Sequence, residues 1–312
     1  MSYSRQALEF QRIPVDAHVR VSDRVSFLYL EYCRVTQDRT GVVALLEEEG
    51  DLVKLGIQIP VGSIALVMLG PGTSITQPAA ATMARSGATL MFTGGNGHPT
   101  HSTASPLTGS ARWSQAQARL WANDSARIAA AKELYRVRFQ EETPKDNAMS
   151  ISRLRGLEGR RVRDEYRRRS AQNRVAGFRR DTTSDDPVNV GLNIGNSILY
   201  GLAGSVCSAL GLNPALGIIH NGDVRAFLFD LADVYKSTIT IPVAFASTSE
   251  KDPALFVRRK VRQLIRREEI FTSMTNLVMN LLHPYLGAVE ADTLIDEDEN
   301  VLGHTNYELR EP

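Results

Sequence analysis

The chain has little cysteine: Cys33 and Cys207 are the only two in 312 residues, far apart and in apolar or small-residue settings. Two such thiols read as buried free cysteines, neither a bridge nor a metal site, and they fit a reducing, cytoplasmic setting. No unbroken apolar run reaches the roughly 18 to 20 residues that a membrane helix needs. The opening stretch MSYSRQALEFQRIPVDAHVRVSDR lacks an apolar h-region, so no secretory signal is expected there. There is no CxxC pair, no HExxH, no Walker loop and no serine nucleophile elbow, which sets aside the mechanisms those motifs carry. GGNGHP has the glycines of a phosphate loop, but its proline and its place at a strand end make it a hairpin turn. What remains is ordinary in bulk. The 43% apolar and 23% charged fractions are those of a soluble globular protein, and the length suggests two domains.

Net charge is +1, which by itself argues against a polyanionic partner. The distribution argues the other way. Residues Ile151 to Arg180 hold eleven arginines against Glu158, Asp164 and Glu165, a local excess of +8. Arg258, Arg259, Lys260, Arg262, Arg266 and Arg267 form a second basic cluster, whereas the stretch from Glu290 onward carries −7. A basic middle of this kind is what a nucleic-acid-binding surface looks like in sequence. Arginine-rich helices that are merely solvated give the same pattern, and an acidic tail is usually a solvating segment.

Along the chain, residues 1–22 are weakly patterned and read as a loose arm. Residues 23–101 read as a β domain. VSFLYLEYCRV, VVALLEEEGDLVKLGIQIPV, SIALVMLGPGT and ATLMFTGGNG are short apolar runs punctuated by turn residues. QPAAATMARSG predicts one short helix among them. The Pro-, Ser- and Thr-rich stretch after the hairpin reads as a linker over 102–111. Residues 112–288 are helical in pattern. SARWSQAQARLWANDSARIAAAKELYRVRFQEE predicts one amphipathic helix, and another begins near SISRLRGLEGRR. Asp186-Pro187 and Asp252-Pro253 predict helix starts, the second opening a single long helix into LLHPYL. The acidic residues 289–312 are expected to be disordered. The fold class is therefore α+β, a small N-terminal β domain followed by a larger all-α domain.

Three segments hold polar groups that a plain core does not need. In RLRGLEGRRVR, Glu158 sits one residue from Gly159 and two from Gly156 inside a helical pattern. Glycine costs up to about 1 kcal/mol per helix-interior site, so a close approach to that glutamate is one reading and a surface ion pair the other. In ALGIIHNGDVRAFLFD, His220 ends an apolar run before the turn signal Asn221-Gly222, which holds the ring and leaves one face free. A satisfied half-buried histidine is the alternative. In FDLADVYK, Asp230 and Asp233 share a helix face. Paired carboxylates in apolar surroundings repel and resist burial; a divalent cation relieves both effects, and so, in part, does a helix N-terminus. Lys236 stands ready to neutralise one carboxylate or to touch a phosphate. Together these supply Glu, His and Asp beside an arginine-dense segment, a ligand set for one hard or borderline cation with open positions left over.

The same blocks carry a family resemblance. LRGLEGRRVR, SILYGLAGSVCSALGLNPALGIIHNG and FLFDLADVYK resemble the three signature blocks of the CRISPR-associated endonuclease/integrase of spacer acquisition. DRVSFLYLEY, IPVGSIALVMLGPGT and ATLMF resemble its N-terminal β domain in the subtype I-E branch. The likeness runs from about Asp23 to about Leu282. It implies an N-terminal β-sandwich, a catalytic helical domain, a homodimer, and a heterohexamer with a dimer of a small ferredoxin-like CRISPR-associated partner. It also implies that a short foreign duplex is joined to a CRISPR repeat. By motif match it makes Glu158, His220 and Asp233 the ligands of Mg2+ or Mn2+ and the catalytic set, with Asp230 a supporting acid on the same helix. Tyr32 matches the tyrosine that stacks on the duplex end, and Lys236 and Arg258 match positions near DNA. Arg161 and Arg163 belong to the cluster expected to neutralise backbone phosphates. Two positions depart from the subtype pattern: Ser74 and Pro99 stand at or near places where it has arginine, so recognition of the DNA end is expected to differ. A metal-dependent nuclease with no transfer reaction, and a non-catalytic DNA-binding protein, fit the unaided residues as well.

Overall fold

The computed structural model describes residues 26–39, 41–46, 55–104, 111–139, 150–287, 293–296 and 299–302. The N-terminal arm and the middle of VVALLEEEGDLVKLGIQIPV lie outside them. In the N-terminal half, eight of the described strands make two sheets. The first has the order β1 (Ser26–Leu30), β5 (Ile64–Leu69), β7 (Thr89–Thr93), β8 (Thr100–Ala104); β5 runs parallel to β1 and β7, and β8 is antiparallel to β7. The second has the order β4 (Leu55–Ile59), β3 (Gly41–Leu46), β2 (Cys33–Asp38), β6 (Ser74–Ile75). Helix α1 (Gln77–Arg85) links β6 to β7.

β5 reads IALVML, and all six residues are buried. Such a run belongs to a strand covered on both faces. One face, through Val67 and Leu69, meets Val35, Val42, Ala44 and Ile59 of the second sheet and Met83 of α1. The other, through Leu66 and Met68, joins the core of the helical domain. The β domain is thus a sandwich whose first sheet is shared with the helices. The hairpin expected at GGNGHP connects β7 to β8, with a cis peptide bond between His98 and Pro99. β8 carries the sheet through Ala104, into the stretch that composition reads as linker.

The helices are α2 (Arg112–Ala122), α3 (Asp124–Phe139), α4 (Ile151–Gln172), α5 (Pro187–Leu210), α6 (Ala226–Lys236), α7 (Thr240–Ala246), α8 (Pro253–Arg267) and α9 (Ile270–Leu282). Two runs expected as single helices are broken. Asn123 leaves the helical backbone, and its side chain accepts a bond from the Ala126 N–H at 2.9 Å, capping α3. Glu269 adopts φ +46°, which separates α8 from α9. The Asp-Pro starts are as expected: Asp186 accepts from the N–H groups of Val188 and Asn189, and Asp252 from that of Leu255. Within the acidic tail, where the charge run predicts disorder, Thr293–Asp296 pairs antiparallel with Glu299–Leu302.

α5 is the hub. Its length and mean apolarity would suffice to cross a membrane although polar residues interrupt the run, but 78% of its apolar window is buried inside the protein. Gly195 lets α7 approach: a Cβ there would lie 2.9 Å from Cγ2 of Thr240. Gly201 lets the first sheet approach, since a Cβ would run into Leu66 and stand 2.8 Å from Cε of Met91. Close contact offsets the helix propensity lost at these glycines.

Candidate functional site

α6 carries two acids on one face, and the fold treats them differently. Asp230 is 1% exposed. Its Oδ2 accepts from the N–H groups of Ile218 at 2.5 Å and Ile219 at 3.0 Å. Its Oδ1 accepts from the His220 N–H at 3.0 Å and lies 2.7 Å from His220 Nδ1. The apolar run before His220 is therefore not a strand; it is an irregular segment wrapped around a buried carboxylate. A carboxylate only accepts, so Nδ1 is the donor. That leaves Nε2 as the free nitrogen, the orientation that a carboxylate–histidine pair gives a ligand. Phe229 backs the ring edge-on, with centroids 5.8 Å apart. Gly217 is required behind it, because a Cβ would strike the His220 carbonyl and approach Cβ of Ala226 at 2.7 Å.

Asp233, one turn on, faces a cleft. Lys236 Nζ lies 2.5 Å from its Oδ1 and donates to the Tyr200 hydroxyl at 2.8 Å. Arg138 Nη1, from the last turn of α3, bonds Oε1 of Glu158 and lies 3.5 Å from Oδ2 of Asp233. Glu158 comes from α4, whose start is capped by Ser150. The three residues singled out in sequence, Glu158, His220 and Asp233, thus line one open cleft of about 300 Å³ with Arg138, Arg155 and Lys236. Three chain segments converge there, from α4, from the 218–220 loop and from α6.

The electrostatics follow from burial and from these partners. Burial holds the Glu158 carboxyl above its ordinary range, and Asp233 adds to this against the pull of Arg138. Burial pushes Asp233 the same way, but Lys236 and Arg138 prevail and hold it below the usual range. The bond to Asp230 raises His220, burial opposes, and Asp233 and Glu158 add to the rise. Among the described residues no three His, Cys, Asp or Glu side chains stand disposed to hold a metal as they are. The donor set itself, two carboxylates and an imidazole with its Nδ1 already engaged, fits Mg2+ or Mn2+. What stands between the carboxylates is the Arg138 guanidinium.

The other sequence candidates are spread more widely. Arg161 lies half-buried over the rings of Tyr135 and Phe139, at 5.1 and 4.7 Å, whereas Arg163 is exposed on the same helix. Arg258 stacks over Tyr29 at 5.2 Å and bonds Oδ1 of Asn96 at 2.6 Å, tying α8 to the β7–β8 hairpin. Tyr32 stands at the β1–β2 turn with φ +50° and is 69% exposed. Ser74 begins β6, and Pro99 follows the cis bond. Arg138 and Tyr200 were missed. Arg138 is 20 residues from one partner and 95 from the other, so no local spacing points to it.

A helical domain roofed by a two-sheet β domain, with an acid–imidazole cleft beside an arginine-rich helix, is an architecture with known relatives. The family model for CRISPR associated protein Cas1 matches residues 41–143 and 138–269. The CRISPR-associated endonuclease Cas1 2 of Thermus thermophilus is 34% identical over 283 residues, covering 88% of this chain and 84% of that one. The CRISPR-associated endonuclease Cas1 of a Clostridium species is 32% identical over 280 residues, covering 88% and 90%. A crystal structure of the TtCas1–DNA complex superposes with a TM-score of 0.74 at 34% identity, over 90% of this chain and 100% of that one. The chain belongs to the Cas1 family.

Proposed function

We propose that this protein is a DNA endonuclease and integrase that joins the 3′-hydroxyl ends of short foreign duplexes to a CRISPR repeat, in the cytoplasm. The observation that carries the reading is the shared cleft of Glu158, His220 and Asp233, with Asp230 orienting the imidazole. Relatives named as endonucleases, and the structure of a TtCas1–DNA complex, support the substrate class.

Glu158, His220 and Asp233 would hold Mg2+ or Mn2+; when bound, the ion supplies Lewis-acid stabilisation of charge on the reacting phosphate. The chain's own residues do the rest. Asp230 keeps the Nδ1 proton of His220 and so leaves Nε2 as the donor atom. Lys236 screens Asp233 and faces the developing phosphate charge from the same cleft. Arg163 and the exposed arginines of α4 neutralise backbone phosphates, which gives affinity without sequence choice. Arg161 and Arg258 extend that surface, and Tyr32 offers a stacking face for a terminal base pair. In the transfer reaction the incoming 3′-oxygen forms a bond to phosphorus, the repeat-strand P–O bond breaks, and the departing 3′-oxygen takes the proton released. Water in the same place gives cleavage instead.

The working assembly in this reading is a homodimer, joined by a dimer of a small ferredoxin-like CRISPR-associated partner into a heterohexamer, in a subtype I-E-like system. The test is strand transfer: protein with that partner, a short duplex, a supercoiled repeat plasmid and Mg2+ or Mn2+, beside Asp233→Ala. A metal-dependent joined product lost in the variant supports the reading. Cutting without joining favours a plain nuclease, and binding without any covalent product favours a non-catalytic DNA-binding protein.

A further inference from the structure

One buried cation of the cleft has no signal in the sequence. The Arg138 side chain is 6% exposed. Its Nη1 bonds Glu158 and faces Asp233 at 3.5 Å, while its Nε is buried without a hydrogen-bond partner. The guanidinium rests over Phe139 at 5.1 Å. A buried arginine is normally placed to satisfy its whole fork. This one leaves a donor unmet in order to reach two carboxylates from two different helices.

Those carboxylates need a cation. Buried and close together, they repel, and each resists losing water. Asp230 occupies Nδ1 of His220, and Lys236 Nζ stands beside Oδ1 of Asp233, an oxygen that is buried without a hydrogen-bond partner. Arg138 faces Oε1 of Glu158 and Oδ2 of Asp233, one oxygen from each acid. A divalent ion held between the two acids would have to share these oxygens with the guanidinium or displace it.

We propose that Arg138 is the resident cation of the metal-free centre: it staples Glu158 to Asp233 and must release them for a divalent ion to bind, and so it sets the metal affinity. This rests on the reading that Glu158, His220 and Asp233 hold the ion. Two occupants competing for the same oxygens weaken each other by linkage. Arg138 is therefore a positioning residue with opposite effects on the two states. It stabilises the protein without metal and opposes metal binding. An arginine that stays beside a bound ion and orients its ligands would do the reverse, and its loss would weaken binding.

The experiment is a Mn2+ titration of the full chain, with free Mn2+ read by its paramagnetic resonance signal, together with thermal unfolding in chelator and in saturating Mn2+. Wild type is compared with Arg138→Gln, Arg138→Lys, Arg155→Gln and Asp233→Ala. Arg138→Gln is expected to bind Mn2+ about tenfold more tightly, to melt lower in chelator, and to gain more from metal than wild type. Arg155 lines the same cleft and controls for diffuse charge. Should the glutamine variant not fold, Arg138→Lys makes the same comparison, with binding a few-fold tighter than wild type. Unchanged or weaker Mn2+ binding in the Arg138 variants, or equal tightening in Arg155→Gln, overturns the proposal. The ligand assignment fails separately: then wild type binds no Mn2+, or Asp233→Ala binds it as well as wild type does.

Discussion

Asp230 and His220 are joined twice: one oxygen of the acid takes both the backbone N–H and the ring Nδ1 of the histidine, at 3.0 and 2.7 Å. The acid's second oxygen takes the two preceding backbone N–H groups. A carboxylate that is 1% exposed therefore shapes the loop and orients the ring in one step.

Replacing that acid is expected to damage both. Asp230→Asn turns an amide NH2 toward N–H donors and leaves at least one of them unmet, which costs about 1–3 kcal/mol per group. Urea denaturation should show a loss in that range. Metal-dependent strand transfer should fall about 10–100-fold, the usual effect of removing the partner that orients a ligand. Full activity with only a stability loss would confine Asp230 to folding.

Tyr32 is expected to separate binding from folding. Its ring is 69% exposed, so Tyr32→Ala should change stability by less than about 0.5 kcal/mol. Affinity for a short duplex with free ends should drop by roughly 1 kcal/mol or more if the ring stacks there. Fluorescence anisotropy with blunt and with long, end-poor duplexes distinguishes an end effect from general weakening. Gly72 guards this geometry: it has φ +68°, and a Cβ there would stand 2.6 Å from Cδ1 of Tyr32. Gly72→Ala should therefore disturb Tyr32 as well as the turn.

Gly201 holds α5 against the shared sheet, and Gly201→Ala is expected to destabilise by about 1–3 kcal/mol through overpacking on Leu66 and Met91. The urea midpoint should fall. Because the contact joins the two domains, loss of a single cooperative transition is the accompanying sign.

His98 supplies a pH dependence away from the cleft. Its ring is within 3.2 Å of Ser197 Oγ, and burial, with Arg180 nearby, holds it below the ordinary histidine range. Between its lowered folded value and about 6.5 the unfolded chain binds more protons, so stability rises with pH across that window. Its contribution is complete above the unfolded value and is lost as pH falls. Denaturation at pH 5.5 and 7.5 should show a smaller difference for His98→Gln than for wild type; an unchanged difference assigns the slope elsewhere.

That strands come first and helices follow was legible because periodicity is local. β5 is a continuous apolar run because it is buried on both faces, and Asp186-Pro187 announces α5 through its cap. The helix breaks were not legible. Asn123 and Glu269 interrupt stretches whose apolar spacing continues across them, and packing decides where the chain turns. Glu158, His220 and Asp233 stood out as polar residues in unlikely company, and Asp230 as their neighbour. The reason for Asp230, a loop folded around its oxygens, lies in bonds between residues ten to twelve apart with no periodic pattern.

Sequence alone thus settled the fold class, the order of the two domains, the basic helix and the blocks that mark the Cas1 family, since each depends on composition, short-range spacing or motif. Only the tertiary structure decided which charges meet. Arg138 on α3, Glu158 on α4 and Asp233 on α6 face one another because the helices pack that way around α5. Electrostatic partnership depends on distance through space, and distance along the chain does not encode it.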